Sequence, residues 1–243
     1  MKMQGKSIRI LSLVMFAIGI LLGAAYSAGA VWADLEASLF DPSIGAEEPI
    51  KTLKCPVLIT PRESGIITAT FSNPSDRAVL RTVRAHISYG FATLIREVST
   101  QFTLEPGGQQ KLEWEVGAED AAWRRVVLVR VNVLRNWPLP SQTGSCGVIV
   151  MNVPGLTGNQ FSTLLVVLSV LGIAIGIFLW IRRGKSTAEL APDISKAMMI
   201  LGALMLGIMI VSARGSWMMG GLLLIFALIF AVSFITWAVA KRS

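Results

Sequence analysis

The sequence predicts a membrane protein of the α+β class: an extracytoplasmic, all-β, immunoglobulin-like sandwich joined to a bundle of three or four transmembrane helices. Three observations carry that expectation. The apolar residues are concentrated in four windows without acidic or basic side chains, 10–33, 161–181, 197–213 and 215–240, each near the roughly 17–25 residues that a bilayer span needs. The segment between the first two windows alternates apolar and polar residues, as half-buried strands do. The charges also sort by segment. Residues 34–160 hold 13 acidic and 12 basic residues, and the rest of the chain holds 2 acidic and 10 basic ones.

The first element, residues 1–33, reads as a transmembrane helix or a signal peptide. It opens with Lys2, Lys6 and Arg9, and Ala28-Gly29-Ala30 and Val31-Trp32-Ala33 resemble signal-peptidase sites. Its apolar run of 24 residues exceeds the usual h-region of about 7–15, which favours a retained helix. Residues 161–243 hold the other three spans, with a short loop at 182–196. Basic residues in short loops mark the cytoplasmic side. Lys2, Lys6, Arg9, Arg182, Arg183, Lys185, Lys196, Lys241 and Arg242 fall on one side of the membrane in a four-span arrangement, with Arg214 alone on the other. Residues 34–160 are therefore expected outside the cytoplasm, and both termini inside, in a multipass protein of the cell membrane. The formal charge of +7 is thus a topological signature, and a nucleic-acid partner is not expected.

Within residues 34–160, strands are expected near 57–60, 65–72, 79–88, 92–104, 109–116, 125–134 and 147–153. Ile67, Ala69 and Phe71 alternate with Thr68 and Thr70. Val79, Arg81, Val83, Ala85 and Ile87 form another such face, with Arg81 its one polar break. Val127, Val129, Val131 and Val133 form a third. Asn73-Pro74-Ser75-Asp76 and Glu105-Pro106-Gly107-Gly108 have turn chemistry, Pro fixing φ and Gly allowing φ > 0. About seven short strands at this spacing suggest a β-sandwich. Cys55 and Cys146, the chain's two cysteines, bracket this core in an exported segment, where a disulfide is expected. The alternative is two free buried thiols.

The stretches "ATFSNPSDRAV" and "FTLEPGGQQKLEWEV" resemble CARDB-type bacterial extracellular β-sandwich modules. In those, an apolar strand ends in Asn and a later hairpin is built around Leu-x-Pro-Gly. The resemblance is at the level of fold and covers residues 65–116. It implies adhesion, spacer or assembly work and no catalysis. The Cys55/Cys146 bracket and the three following helices depart from that pattern.

Candidate chemistry is sparse. His86, the chain's single histidine, falls by alternation on the face opposite Val83, Ala85 and Ile87, which points it to solvent. A triad or a His-ligated metal would need partners that the pattern does not supply. Glu113 and Glu115 share a strand face across Trp114; paired carboxylates suit acid–base chemistry, but i, i+2 acids are also how an exposed sheet face looks. Trp137, Pro138 and Pro140 mark a candidate interaction loop, with packing at the sandwich edge or at the membrane surface as the alternatives. Gly19-x-x-x-Gly23 and Gly172-x-x-x-Gly176 have the spacing of close helix packing. Few polar groups accompany them, so hydrogen bonds between helices are not expected to contribute. Met205 and Met209 form a Met-x-x-x-Met pair, which suits Cu(I) or simply adaptable packing; packing is the reading taken. No acidic or basic residue lies within a span, which argues against a pump acting alone.

The expectation is a non-catalytic membrane protein, not an enzyme, with no cofactor and no metal. It would present its exported sandwich as an interaction or scaffold domain, as an accessory subunit of a membrane complex or in self-association. The alternative is a small transporter or channel subunit with the sandwich as an external lid.

Overall fold

The computed structural model describes residues 2–42, 46–183 and 191–241. Lys185, Arg242 and residues 184–190 of the loop expected at 182–196 lie outside the described residues. The chain divides into two compact units, one of Ala30–Phe161 and one of Met1–Gly29 with Ser162–Ser243.

The first unit holds eight strands: β1 (Glu48–Pro49), β2 (Leu58–Ile59), β3 (Gly65–Ser72), β4 (Val79–Tyr89), β5 (Phe91–Leu104), β6 (Gln109–Val116), β7 (Val126–Val133) and β8 (Gln142–Val150). Six make one sheet in the order β1-β8-β7-β4-β5, with β2 also paired to β8; β3 and β6 make a second sheet. The long strands lie where the alternation placed them. The division of six strands against two departs from the expected immunoglobulin-like sandwich. So does the parallel pairing of β1 and β2 with β8. These two-residue strands reach β8 from the irregular segments flanking Cys55 and not through hairpins. Strand β8 also begins at Gln142, before the expected 147. Its polar start, Gln142–Ser145, is ordered by pairing with Val133–Arg130 of β7, not by its own apolar pattern.

One core lies between the two sheets. Ile67, Ala69 and Phe71 of β3 and Trp114 and Val116 of β6 meet Val83, Ala85 and Ile87 of β4 and Val127, Val129, Val131 and Val133 of β7. Successive side chains of a strand point to opposite faces, so these every-other-residue sets become one buried layer. Strand β7 is buried on both faces, because its outward Val126 and Leu128 pack against Ala33, Ala37 and Phe40. Ala33 and Ala37 belong to the end of helix α1 (Lys2–Leu39), and Phe40 follows it directly. Leu35, Glu36 and Ala37 are good helix formers, so the helix runs past the end of the charge-free window. Pro42, unfit for a helix interior, follows it.

The second unit is helical: α1 up to Gly29, α2 (Gly158–Arg183) from Ser162 on, α3 (Ala191–Ala213) and α4 (Trp217–Ala240). All four helices are long and apolar enough to cross a membrane. Helices α1 and α2 touch at backbone distance. A Cβ on Gly172 would stand 2.9 Å from the Gly19 Cα, and one on Gly176 would stand 2.6 Å from the Phe16 Cβ. Side-chain hydrogen bonds accompany this contact, against the sequence expectation. Ser12 Oγ donates to the Gly176 carbonyl at 2.6 Å and Ser169 Oγ to the Gly19 carbonyl at 2.8 Å. Two lone serines suffice because the glycines bring the opposing carbonyls within reach.

Candidate functional site

The exposed aromatic group closest to a recognition element stands at one end of the sheet unit. Strand β7 leads from Val133 into a tight turn at 136–139, closed by hydrogen bonds between Asn136 and Leu139 and containing a cis Trp137–Pro138 peptide bond. Asn136 Nδ2 ties the turn to the Leu80 carbonyl of β4 at 2.7 Å. Trp137 is 68% exposed, and the Arg77 guanidinium carbon lies 3.7 Å from its ring centroid. A guanidinium over an indole face is attracted by the ring quadrupole, so the pair forms a flat, cationic and aromatic surface.

Two buried polar residues set this surface. Arg81, the break in the apolar face of β4, is 2% exposed. Its guanidinium donates to the Pro140 carbonyl at 3.2 Å and to Gln142 Oε1 at 3.4 Å. Burial pulls its pKa below the ordinary arginine value, and the charge of Glu48 opposes that shift. Arg81 thus holds the backbone that follows Trp137 and Pro138. Asn73 is fully buried. Its Nδ2 donates to the carbonyls of Arg77 at 2.7 Å and Leu104 at 2.9 Å, and its Oδ1 accepts the Ser75 N–H at 3.1 Å. One side chain therefore joins the β3–β4 turn to the β5–β6 turn and fixes the backbone that carries Arg77.

His86 is a correction to the sequence reading. The alternation places it on the outer face, as expected, but that face is not solvent. The end of α1 covers it, and His86 is 8% exposed. Its Nδ1 lies 2.6 Å from Asp41 Oδ2 and its Nε2 lies 3.7 Å from Glu97 Oε2. Beside it, Arg130 Nη1 donates to the Phe40 carbonyl at 3.0 Å. These contacts hold the chain just after the helix against the sheet. The small residues Ala30, Ala33 and Ala37, at helical spacing, are the signal that could have revealed a buried helix face beyond residue 33.

A cleft of about 390 Å³ lies beside the 3₁₀ turn Ala118–Asp120, lined by Tyr89, Arg96, Glu115, Glu119 and Asp120 among others. Asp120 is buried and fully engaged: Arg96 donates to both carboxylate oxygens, at 3.0 and 2.8 Å, and the Gly117 N–H to one of them at 3.0 Å. That arrangement braces the turn and presents no free acid. Glu113 and Glu115 lie exposed on the outer face of the two-stranded sheet, on either side of buried Trp114. Glu113 is paired with Lys111 at 2.7 Å. Among the described residues, no group of three or more His, Cys, Asp or Glu is placed to hold a metal ion.

The remaining sequence candidates are placed as follows. Cys55 and Cys146 are joined by a disulfide, their Cα atoms 6.4 Å apart. Gly23 faces Ser169, Met205 and Met209, and the two methionines are buried in the helical unit.

At the other end of the sheet unit, residues 122–125 form a tight turn in which Arg125 N–H bonds the Ala122 carbonyl and Trp123 N–H bonds the Gly90 carbonyl of the β4–β5 turn. Trp123 and Arg124 have φ of 51° and 59°. This is the primed turn geometry that favours Asn-Gly, and bulky residues there store about 1–3 kcal/mol of strain each.

No family model matches the chain, and no curated protein matches it. Solved structures similar to it include a CARDB domain from Pyrococcus furiosus, in complex with di-metal ions. That domain is 12% identical, with 41% of this chain and 84% of that one covered and a TM-score of 0.33. A β-glucuronidase from Bacteroides uniformis is 14% identical over 40% of this chain and 12% of its own, with a TM-score of 0.31. A Paenibacillus cycloisomaltooligosaccharide glucanotransferase is 14% identical over 45% and 15%, with a TM-score of 0.34. The CARDB-type likeness is one of fold, and this chain spans only a small part of the two enzymes' lengths.

Proposed function

We propose that this protein is a non-catalytic multipass membrane protein that presents an exported β-sandwich as an interaction domain within a membrane complex. The observation that carries the reading is the Trp137–Arg77 surface. It lies at the end of β7 opposite Val126, whose partner Ile149 leads through β8 towards helix α2. An exposed Trp stacked on Arg combines two residue types enriched where interfaces bind most strongly, and the buried Asn73 and Arg81 hold it in place. The distribution of basic residues along the sequence supports placing this domain outside the cytoplasm, with both termini inside.

The test has two parts. A membrane-impermeant thiol reagent should label an Asp76→Cys protein in intact cells; labelling only after the membranes are opened rejects the topology. A stoichiometric partner should co-purify in mild detergent with the natural protein and be lost with Trp137→Ala at unchanged thermal stability. A lone homo-oligomer that conducts ions in liposomes equally well with and without Trp137 rejects the interaction reading in favour of a channel subunit.

A further inference from the structure

Five large apolar side chains stand half exposed around the β4–β5 turn: Tyr89, Phe91, Leu94, Ile95 and Trp123, at 53, 59, 51, 45 and 50%. The Trp123 N–H to Gly90 carbonyl bond, 3.0 Å, joins the two turns that carry them at one end of the sheet unit. Exposed Arg124 and Arg125 adjoin it. Soluble surfaces rarely gather this much apolar area without a partner.

Its position within the sheet unit identifies the partner. Ala92, within the turn cluster, packs against the buried group formed by Ala33 and Ala37 of α1, and Ala33 closes the first apolar window. The Arg125 carbonyl accepts the Val150 N–H at 2.7 Å, and helix α2 begins at Gly158, only a short connector away. The cluster therefore lies beside both places where this unit continues into apolar helices. Aromatic rings at such a level, flanked by arginines that favour anionic headgroups, are what a membrane interface selects. The turn itself argues the same way. Trp123 and Arg124 occupy left-handed positions that Asn and Gly would fill without strain, so the residues there are not the ones folding prefers.

We infer that the β4–β5 turn and the Trp123-Arg124 turn form a lipid-contacting rim that seats the exported domain on the headgroup layer of its own membrane. The inference rests on the reading of the domain as exported and joined to membrane-spanning helices.

The test uses the full chain in nanodiscs containing anionic lipid, with an environment-sensitive fluorophore on Thr93→Cys or, as the control, Asp76→Cys. Quenching by lipids carrying a nitroxide near the headgroup should be several-fold greater at position 93 than at position 76, with the reverse order for aqueous iodide. Equal iodide access at both positions overturns the inference. Shielding at position 93 from iodide without nitroxide quenching also overturns it, and points to a covering protein instead. The pair Trp123→Asn with Arg124→Gly should raise the unfolding temperature while lowering the lipid quenching; undiminished quenching overturns the role of this turn. Release of the protein from alkaline-washed native membranes would overturn the membrane reading as well, whereas retention with no quenching overturns the rim alone.

Discussion

The Gly147 N–H donates to the Asp34 carboxylate at 3.0 Å, so the first charged residue after the apolar window of α1 is held by the middle of strand β8. Around that bond, the helix backbone at Ala33 occupies the space that a Cβ on Gly147 would need. Gly147→Val should therefore force the end of α1 off the sheet. Overpacking of this kind costs about 1–3 kcal/mol. Uncovering Leu128 and Val126 would add to it. Thermal unfolding in detergent checks this, and an unchanged midpoint would show that the helix end is not seated on β8.

Asn73→Ala should destabilise the sheet unit by roughly 1–3 kcal/mol, because it removes a buried amide that donates to backbone carbonyls of two turns. The Leu104 and Arg77 carbonyls each lose a bond. Asn73→Asp should be similarly harmful, since a carboxylate cannot donate in place of the amide. Denaturant titration followed by near-ultraviolet circular dichroism measures both, and a neutral Asn73→Ala variant would contradict the account.

The single histidine provides a clean probe of the α1 cover. In the folded protein, diethylpyrocarbonate should modify His86 several-fold more slowly than in denatured protein, because Asp41 and the end of α1 enclose the ring. The Gly147→Val variant should restore fast modification. Equal rates in folded and denatured protein would return His86 to the surface.

Gly172→Leu with Gly176→Leu should separate α1 from α2, since each new side chain meets the backbone or Cβ of the facing helix. The Ser12 and Ser169 bonds would lengthen with them. The expected result is a loss of at least about 1–3 kcal/mol in helix-bundle stability, with the Cys55–Cys146 bond still forming. A bundle as stable as the natural one would show these glycines to be loosely packed.

Replacing Cys55 and Cys146 together by Ser should cost about 4–5 kcal/mol in the loop-entropy view, because the bridge closes a separation of 91 residues. Peptide mapping without reductant should recover the two cysteines as one linked pair. Two free thiols in unreduced protein would refute the bond.

Much of this protein was legible in its sequence, because hydropathy and alternation are local quantities. The windows at 10–33, 161–181 and 197–213 lie within helices, as does 215–240 from Trp217 on, and the sets Ile67/Ala69/Phe71 and Val127/Val129/Val131/Val133 form the core face of their strands. The sequence by itself determined the kinds of element, their order and which face of β3 or β7 meets the core, since period two and long apolar runs leave few alternatives. Only the tertiary structure decided what lies on the opposite face. Alternation cannot tell an outer face open to water from one covered by a helix, and so the pattern alone points His86 to solvent. Nor could a local pattern show that Arg81 anchors the Trp137 loop, that Asn73 joins two turns, or that Ser12 and Ser169 bridge α1 and α2. Each of those roles depends on a partner distant along the chain, brought within 3.4 Å only when the sheets and helices close.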